Sequence, residues 1–277
     1  MAEGSEAEEL HVRSDPALSQ MAKVEVERRG PAAIVWLNRP EVHNAIDAET
    51  ARLLHGRLVE VRDDDATRVV VFTGRGGKAF SSGADLRDGA RLFDEPDDPA
   101  SGPLQFSALD MEKPSIAAVE GFCLAGGLEL ACWCDFRIAG DGAQFGVVNR
   151  RWGIPLVDGG TQRLPRIVGL GTALWLVETG IQIDARRARE IGLVQEVVPS
   201  GGALDRAMEL AERIAGYPQA SLRADRASTL AALGVALEAG LSLEARRGVP
   251  TLADPEIEEG LRRYASGVRP PPPRPAG

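Results

Sequence analysis

Residues 113–139 read KPSIAAVEGFCLAGGLELACWCDFRIA. Ser115 to Val119, just after Pro114, has the length and β-branched, small-residue composition of a buried strand. Gly121 then leads into the apolar segment LAGGLELACWC, and Asp135 precedes a second strand at Phe136 to Ala139. Strands alternating with apolar helical segments point to an α/β chain.

The flanking sequence repeats that pattern. In VEVERRGPAAIVWLNRP, the alternation at Val24 and Val26 and the apolar run Ala32 to Leu37 predict two strands joined by a turn at Gly30-Pro31. Residues 47–62 have helical periodicity, with Asp47 as N-cap. Val69 to Phe72 is a buried strand that ends in the glycine-rich loop TGRGGKAFSSGAD. Residues 86–113, with EPDDPASGP inside them, read as a loop with a partial helix. From about residue 160 the strands largely stop. Segments 160–169, 172–180, 184–191, 203–215, 219–233, 236–247 and 255–266 read as helices, interrupted by a strand at Leu193 to Val198.

Composition bounds the functions open to such a chain. It has 277 residues, 44% hydrophobic and 26% charged, which is ordinary globular composition. No apolar run is long enough to span a membrane, and the acidic start MAEGSEAEELHVRSD lacks the apolar core of a secretory signal. The expected location is the cytoplasm. A formal net charge of -9 with no basic stripe argues against nucleic acid as a partner. An anionic ligand must then be met by helix starts or single cations such as Arg75, Lys78 and Arg87. Cys123, Cys132 and Cys134 lack metal-ligand spacing and read as small buried apolar residues, so no metal is expected. Residues 1–20 read as an arm. Residues 269–277, RPPPPRPAG, read as a proline-rich tail, either solvated or a docking segment for a proline-recognising partner.

Three familiar motifs fail. TGRGGKA has Ala79 where a phosphate loop needs Ser or Thr; no G-x-S-x-G occurs; and His11, His43 and His55 do not cluster. Two glycine-rich segments remain, Phe80 to Asp85 and Gly121 to Glu129, each after a predicted strand. Small residues let the backbone approach a ligand, and converging N–H groups form an oxyanion hole. Two tight turns packed on each other would look the same.

KAFSSGADL, then KPSIAAVEGFCLAGGLELACWCDFRIA, AQFG, GIPLVDGGTQRLPRIVG and DARRAREIGLVQEVVP resemble the crotonase superfamily in order and spacing, over roughly residues 22–265. The resemblance implies an α/β fold, a crotonase-like spiral of ββα units over 21–200, followed by a helical trimerisation region over 201–268. It also implies an acyl-CoA thioester as substrate, no cofactor beyond the coenzyme A carried by that substrate, and a homotrimer or hexamer. Carried over by position, the N–H groups of Ala84 and Gly126 bind the thioester oxygen, and Ala84, Asp85, Leu86 and Arg87 lie along the coenzyme A moiety. Glu129, one helical turn after Gly126, matches one of two hydratase glutamates. The second position holds Asn149, which can orient water but cannot exchange a proton near neutral pH. Asp158 either supplies the missing acid or caps the next helix. Trp152, Leu156 and Val157 either border the acyl chain or are plain packing. Arg150 and Arg151 read as a solvated corner, or one of them as a partner of Asp158 or Glu129, and Arg163 as a structural anchor.

Three functions follow as alternatives: an acyl-CoA lyase or isomerase, a non-catalytic acyl-CoA binder that keeps only the amide pair, and a β-diketone hydrolase independent of coenzyme A. A single carboxylate suits isomerisation better than hydration, because hydration moves protons at both water and carbon.

Overall fold

The computed structural model describes residues 22–93 and 101–267. The expected arm and the proline-rich tail lie outside the described residues, as does part of the 86–113 loop.

Strand β1 (Val24–Arg29) turns at Gly30 into β2 (Ala32–Leu37), and the two pair antiparallel. Gly30 has φ +57°, a conformation glycine adopts without strain. Helix α1 (Ala48–Asp63) starts where Asp47 accepts the Thr50 N–H at 2.8 Å, the cap expected from sequence. There follow β3 (Val69–Gly74), β4 (Ala79–Ser81), the short α2 (Gly89–Leu92), β5 (Ser115–Val119), β6 (Phe122–Leu124), α3 (Gly126–Trp133), β7 (Phe136–Gly140) and β8 (Gln144–Gly146). The chain continues through α4 (Gly160–Val168), α5 (Leu170–Thr179), β9 (Gln182–Asp184), α6 (Ala185–Glu190), β10 (Glu196–Val198), α7 (Ala203–Ala215), α8 (Gln219–Ala232), α9 (Leu237–Gly248) and α10 (Pro255–Ala265).

Among the described residues, ten strands form two sheets. The larger runs β1-β2-β3-β5-β7-β10, parallel from β2 onward. Parallel strands need helical crossovers, which cover both faces and demand near-continuous apolar sequence. AAIVWL and VVVFTG meet that demand. Because side chains alternate across a strand, the two faces can be read off by parity. Val35, Val70, Phe72, Ala117 and Val119 pack with Leu54, Leu58 and Val61 of α1. Ile34, Val69, Val71, Ile116 and Ile138 point the other way, against Ala203, Ala207, Ala211 and Ala215 of α7. Alanine at every fourth position gives α7 a shallow stripe that lets it lie close to the sheet.

The second sheet, β4-β6-β8-β9, was not expected from sequence. Its strands are three residues each, too short to show alternation. Strands β4, β6 and β8 run parallel, with Ser81 beside Cys123 and Leu124 beside Gly146. This small sheet positions the site. The C-terminal ends of three neighbouring parallel strands lead directly into Ala84, Gly126 and Asn149. Ligands collect at the carboxyl ends of parallel strands, where the connecting loops converge.

The expected strand from Leu193 narrows to Glu196–Val198. Leu193 and Val194 instead send their N–H groups to Ala188 O at the end of α6. No helix among the described residues is long and apolar enough to cross a membrane.

Candidate active site

Ala84 follows Gly83, whose φ is +88°. A single parallel bridge joins Ala84 to Ile46: Ile46 N–H donates to Gly83 O and Asp85 N–H donates to Ile46 O. That pattern uses the flanking groups and turns the Ala84 N–H the opposite way. No hydrogen bond among the described residues uses that N–H.

Gly126 is the first residue of α3, so its N–H has no intrahelical acceptor. The residue before it, Ala125, has φ 49° and ψ -123°, a region that costs strain for any residue with a side chain. Its N–H is held by Gly146 O at 2.9 Å. The two loops touch. A methyl placed on Gly126 would lie 3.3 Å from Gly83 Cα and 3.5 Å from the Ala84 nitrogen. Ala84 and Gly126 both line one cleft of about 100 Å³, together with Glu129, Asn149, Trp152, Val157 and Asp158.

Glu129 lies one turn into α3 and is 4% exposed. Its Oε1 accepts the N–H of Asp158 at 3.0 Å and of Gly160 at 2.8 Å, so a carboxylate from α3 sits at the start of α4. Gly160 permits this approach, since a methyl there would meet Glu129 Cγ at 2.8 Å. No hydrogen bond among the described residues uses Oε2. Burial, reinforced by the charge of Asp158, raises the Glu129 carboxyl to about 7 despite the two amides.

Asp158 is 3% exposed, and burial raises its carboxyl to about 6, against the pull of the Leu104 N–H and Arg163. It does not cap α4. The N-cap is Gly159 in the left-handed region, with no side-chain bond, and Asp158 Oδ1 instead accepts the Leu104 N–H at 2.9 Å. Two carboxyls with raised affinity for protons thus line one cleft.

Asn149 follows β8 and is buried, its Nδ2 donating to Ile154 O at 2.8 Å. Arg163 anchors the far side, donating to Ser107 O at 2.6 Å and to the Asp158 carbonyl at 3.4 Å.

Other expected residues separate. Leu86 and Val157 line the cleft, as does Trp152, which at 72% exposed forms its rim rather than packing. Leu156 is buried with Glu129, Cys132 and Leu164 around a small internal void, outside the cleft wall. Asp85 turns from the cleft into an ion-pair network: Arg39 spans Asp85 at 3.0 Å and Asp47 at 3.1 Å, and Arg87 pairs with Asp85 at 3.1 Å. Although burial opposes it, the bonds from Arg87 and Arg39 keep the Asp85 carboxyl below its usual range. Arg75 is committed elsewhere, paired with Glu25 at 2.8 Å and stacked 3.6 Å over Trp36. Arg150 and Arg151 donate to Val177 O and Gly180 O, not to either cleft carboxylate.

Sequence reading missed Phe93, Leu104, Val148, Ile154 and Pro155 as lining residues. Only proximity to the quoted motifs could have suggested the last three. Phe93, Ile154, Pro155 and Val157 also border an adjoining apolar cavity of about 450 Å³. A larger cavity, about 890 Å³, is lined by Lys23, Arg39, Arg52, Arg87 and Arg91 together with acidic partners. It holds neither amide and neither cleft carboxylate, so the chemistry is assigned to the smaller cleft. The described residues include no group of three or more His, Cys, Asp or Glu able to hold a metal ion.

The enoyl-CoA hydratase/isomerase family model matches residues 27–271. The chain belongs to that family. The family places it in the crotonase superfamily and makes it an enzyme of hydratase/isomerase type. It is 36% identical to the crotonyl-CoA hydratase of Syntrophomonas wolfei, over 86% of this chain and 93% of that protein. It is 34% identical to the 2,3-dehydroadipyl-CoA hydratase of Escherichia coli, over 88% and 96%. The crystal structure of enoyl-CoA hydratase from Bacillus anthracis superposes with a TM-score of 0.82 at 32% identity, covering 90% of this chain and 98% of that one.

Proposed function

We propose that this chain is an acyl-CoA lyase of the enoyl-CoA hydratase type. The N–H groups of Ala84 and Gly126 receive the thioester oxygen, and the second donor gains from the α3 dipole. As water adds to C3 of the enoyl group, negative charge moves onto that oxygen, where fixed donors stabilise it without reorganising. One proton leaves the water for the carboxylate pair Glu129 and Asp158. A second passes from the pair to C2, and the pair regains its starting state. No resident cofactor enters; coenzyme A arrives with the substrate.

The observation that supports this reading is that Ala84 and Gly126, whose amides have no partner among the described residues, line one cleft with the carboxyls of Glu129 and Asp158. Asp158 offers the second acid where the Asn149 position does not. The test is loss of the enoyl absorbance when purified protein meets crotonyl-CoA. Tight binding across a thioester panel without turnover would contradict it and favour a binder. Double-bond isomerisation is the second reading, favoured by the amide at position 149, and it would appear as a shifted enoyl product without a 3-hydroxyacyl product. Activity on a free β-diketone with no affinity for coenzyme A would contradict both.

Leu230, Leu233, Leu237 and Leu241 are exposed on α8, α9 and the turn between them, which supports assembly through the C-terminal helices as a trimer or hexamer. Light scattering tests this, and a fully active monomer would contradict it.

A further inference from the structure

The cleft that holds Glu129 and Asp158 is small, about 100 Å³, and the apolar cavity of about 450 Å³ adjoins it. Phe93, Ile154, Pro155 and Val157 belong to both walls, and Gly102, Pro103 and Gly153 complete the second. Gly102 marks where the two meet. A methyl placed on it would lie 2.3 Å from Asp158 Oδ1 and 2.7 Å from Val157 O, so its backbone rests against a carboxyl that the reading above puts to work at C2 and C3. The apolar cavity therefore begins where an enoyl group runs past C3. Among the described residues, no charged or polar side chain lines it. The cations nearest in sequence, Arg150 and Arg151, donate to the Val177 and Gly180 carbonyls. Phe93 and Val157 keep 41% and 44% of their surface exposed, which leaves apolar wall for a ligand to cover.

Resting on the lyase reading above, we propose that this cavity takes the acyl chain from C4 onward and makes the enzyme selective for enoyl thioesters whose tail is uncharged, apolar and longer than that of crotonyl. A crotonyl group carries a single methyl past C3 and leaves most of the apolar wall in water. Each further methylene removes more of that wall from water and strengthens binding of substrate and transition state alike, so kcat/KM rises with chain length. A tail ending in a carboxylate meets the opposite fate. It would lose its hydration beside Phe93, Pro103 and Ile154, with no cation or donor on the described wall to replace it. A cationic tail loses its hydration in the same way. Length and charge of the substrate are thus set by this second cavity, and the proton chemistry by the first.

The test is kcat/KM on crotonyl-CoA, 2-hexenoyl-CoA and 2-octenoyl-CoA, and on 2,3-dehydroadipyl-CoA, which matches hexenoyl in length and adds a terminal carboxylate. From crotonyl to octenoyl the value should climb by about two- to fourfold for each added methylene, the range from partial to full burial. The dehydroadipyl thioester should fall at least about tenfold below hexenoyl. Gly153→Phe puts a ring at a wall position that has no neighbour within 4 Å and does not line the cleft. It should bring the octenoyl-to-crotonyl ratio down to within about twofold of one. Gly153 has φ +70°, so Pro103→Phe carries the same expectation if that variant does not fold. Turnover of crotonyl-CoA with no gain for the longer chains, dehydroadipyl matching hexenoyl, or a gain that survives both substitutions would overturn the selectivity alone. No turnover of any of the four thioesters would overturn it together with the lyase reading.

Discussion

The cleft has two walls of different make. One is main chain: the backbone of Ala84 and Gly126, shaped by Gly83, by the strained Ala125, and by the ends of β4 and β6. The other is side chain: Glu129, Asp158 and Asn149, each held by one or two bonds to amides or a carbonyl on neighbouring loops. A main-chain donor survives any change of its own residue except to proline, so that wall is reached chiefly through sterics. The side-chain wall changes with a single atom. The first wall thus follows from topology, whereas the second can vary on an unchanged fold.

The sharpest probe of the side-chain wall is Glu129→Gln. The substitution keeps an oxygen for the Asp158 and Gly160 amides but removes the proton exchange. Turnover of crotonyl-CoA should fall by roughly 10²–10⁴, measured as kcat with KM nearly unchanged. Retained turnover would remove Glu129 from the chemistry.

The matching probe of the main-chain wall is Gly83→Ala. The added methyl would come 2.5 Å from the Gly126 nitrogen, on a residue whose φ is +88°. The two amides must then separate, and turnover should fall roughly 10²–10³, the loss expected when one oxyanion donor is misplaced. Normal rates in a folded Gly83→Ala chain would show that the two loops need not meet.

Asp158→Asn should cost less, about 10²-fold at the low end for an acid–base group, and should also change the pH profile. With carboxyls at about 7 and about 6, turnover in the parent chain should peak between those values and fall on either side. In the variant the profile should keep one limb. An unchanged two-limbed profile would remove Asp158 from the pair.

The smallest effect is on stability. Both carboxyls bind protons more tightly folded than unfolded, so their contribution is present at low pH and declines as pH rises from about 4 through about 7. At pH 8 the folded chain holds two buried charges that Glu129→Gln reduces to one. The variant should therefore be more stable than the parent at pH 8, by on the order of 1–3 kcal/mol, with the gap closing toward pH 5. Denaturant melts at the two pH values check this. A variant less stable at both would mean that its bonds outweigh the burial of its charge.

The two walls also differ in how far they could be read from sequence. The large sheet announces itself through apolar runs such as AAIVWL, and α7 through its every-fourth alanines. The amide loops announce themselves through glycine, a residue needed where φ is positive or backbones touch. Strands β4, β6, β8 and β9 left no trace because three residues carry no period, and their pairing partners lie far along the chain. Leu104 holding Asp158 was equally invisible, because a main-chain amide from a distant loop has no sequence signature. The same blindness left open a cap role for Asp158, whereas Glu129 from α3 occupies the amides at that helix start. Asp85 and Arg75 were legible as charged residues near a ligand loop, but their partners Arg39 and Glu25 are distant in sequence.

The thioester oxygen reports the two amides most directly. Infrared difference spectra of crotonyl-CoA carrying a ¹³C-labelled carbonyl, bound to Glu129→Gln, isolate its stretching frequency. Two converging N–H donors should polarise the carbonyl and lower that frequency relative to free thioester, and Gly83→Ala should reverse most of the shift. A bound carbonyl vibrating as it does in water would contradict a hole built by Ala84 and Gly126.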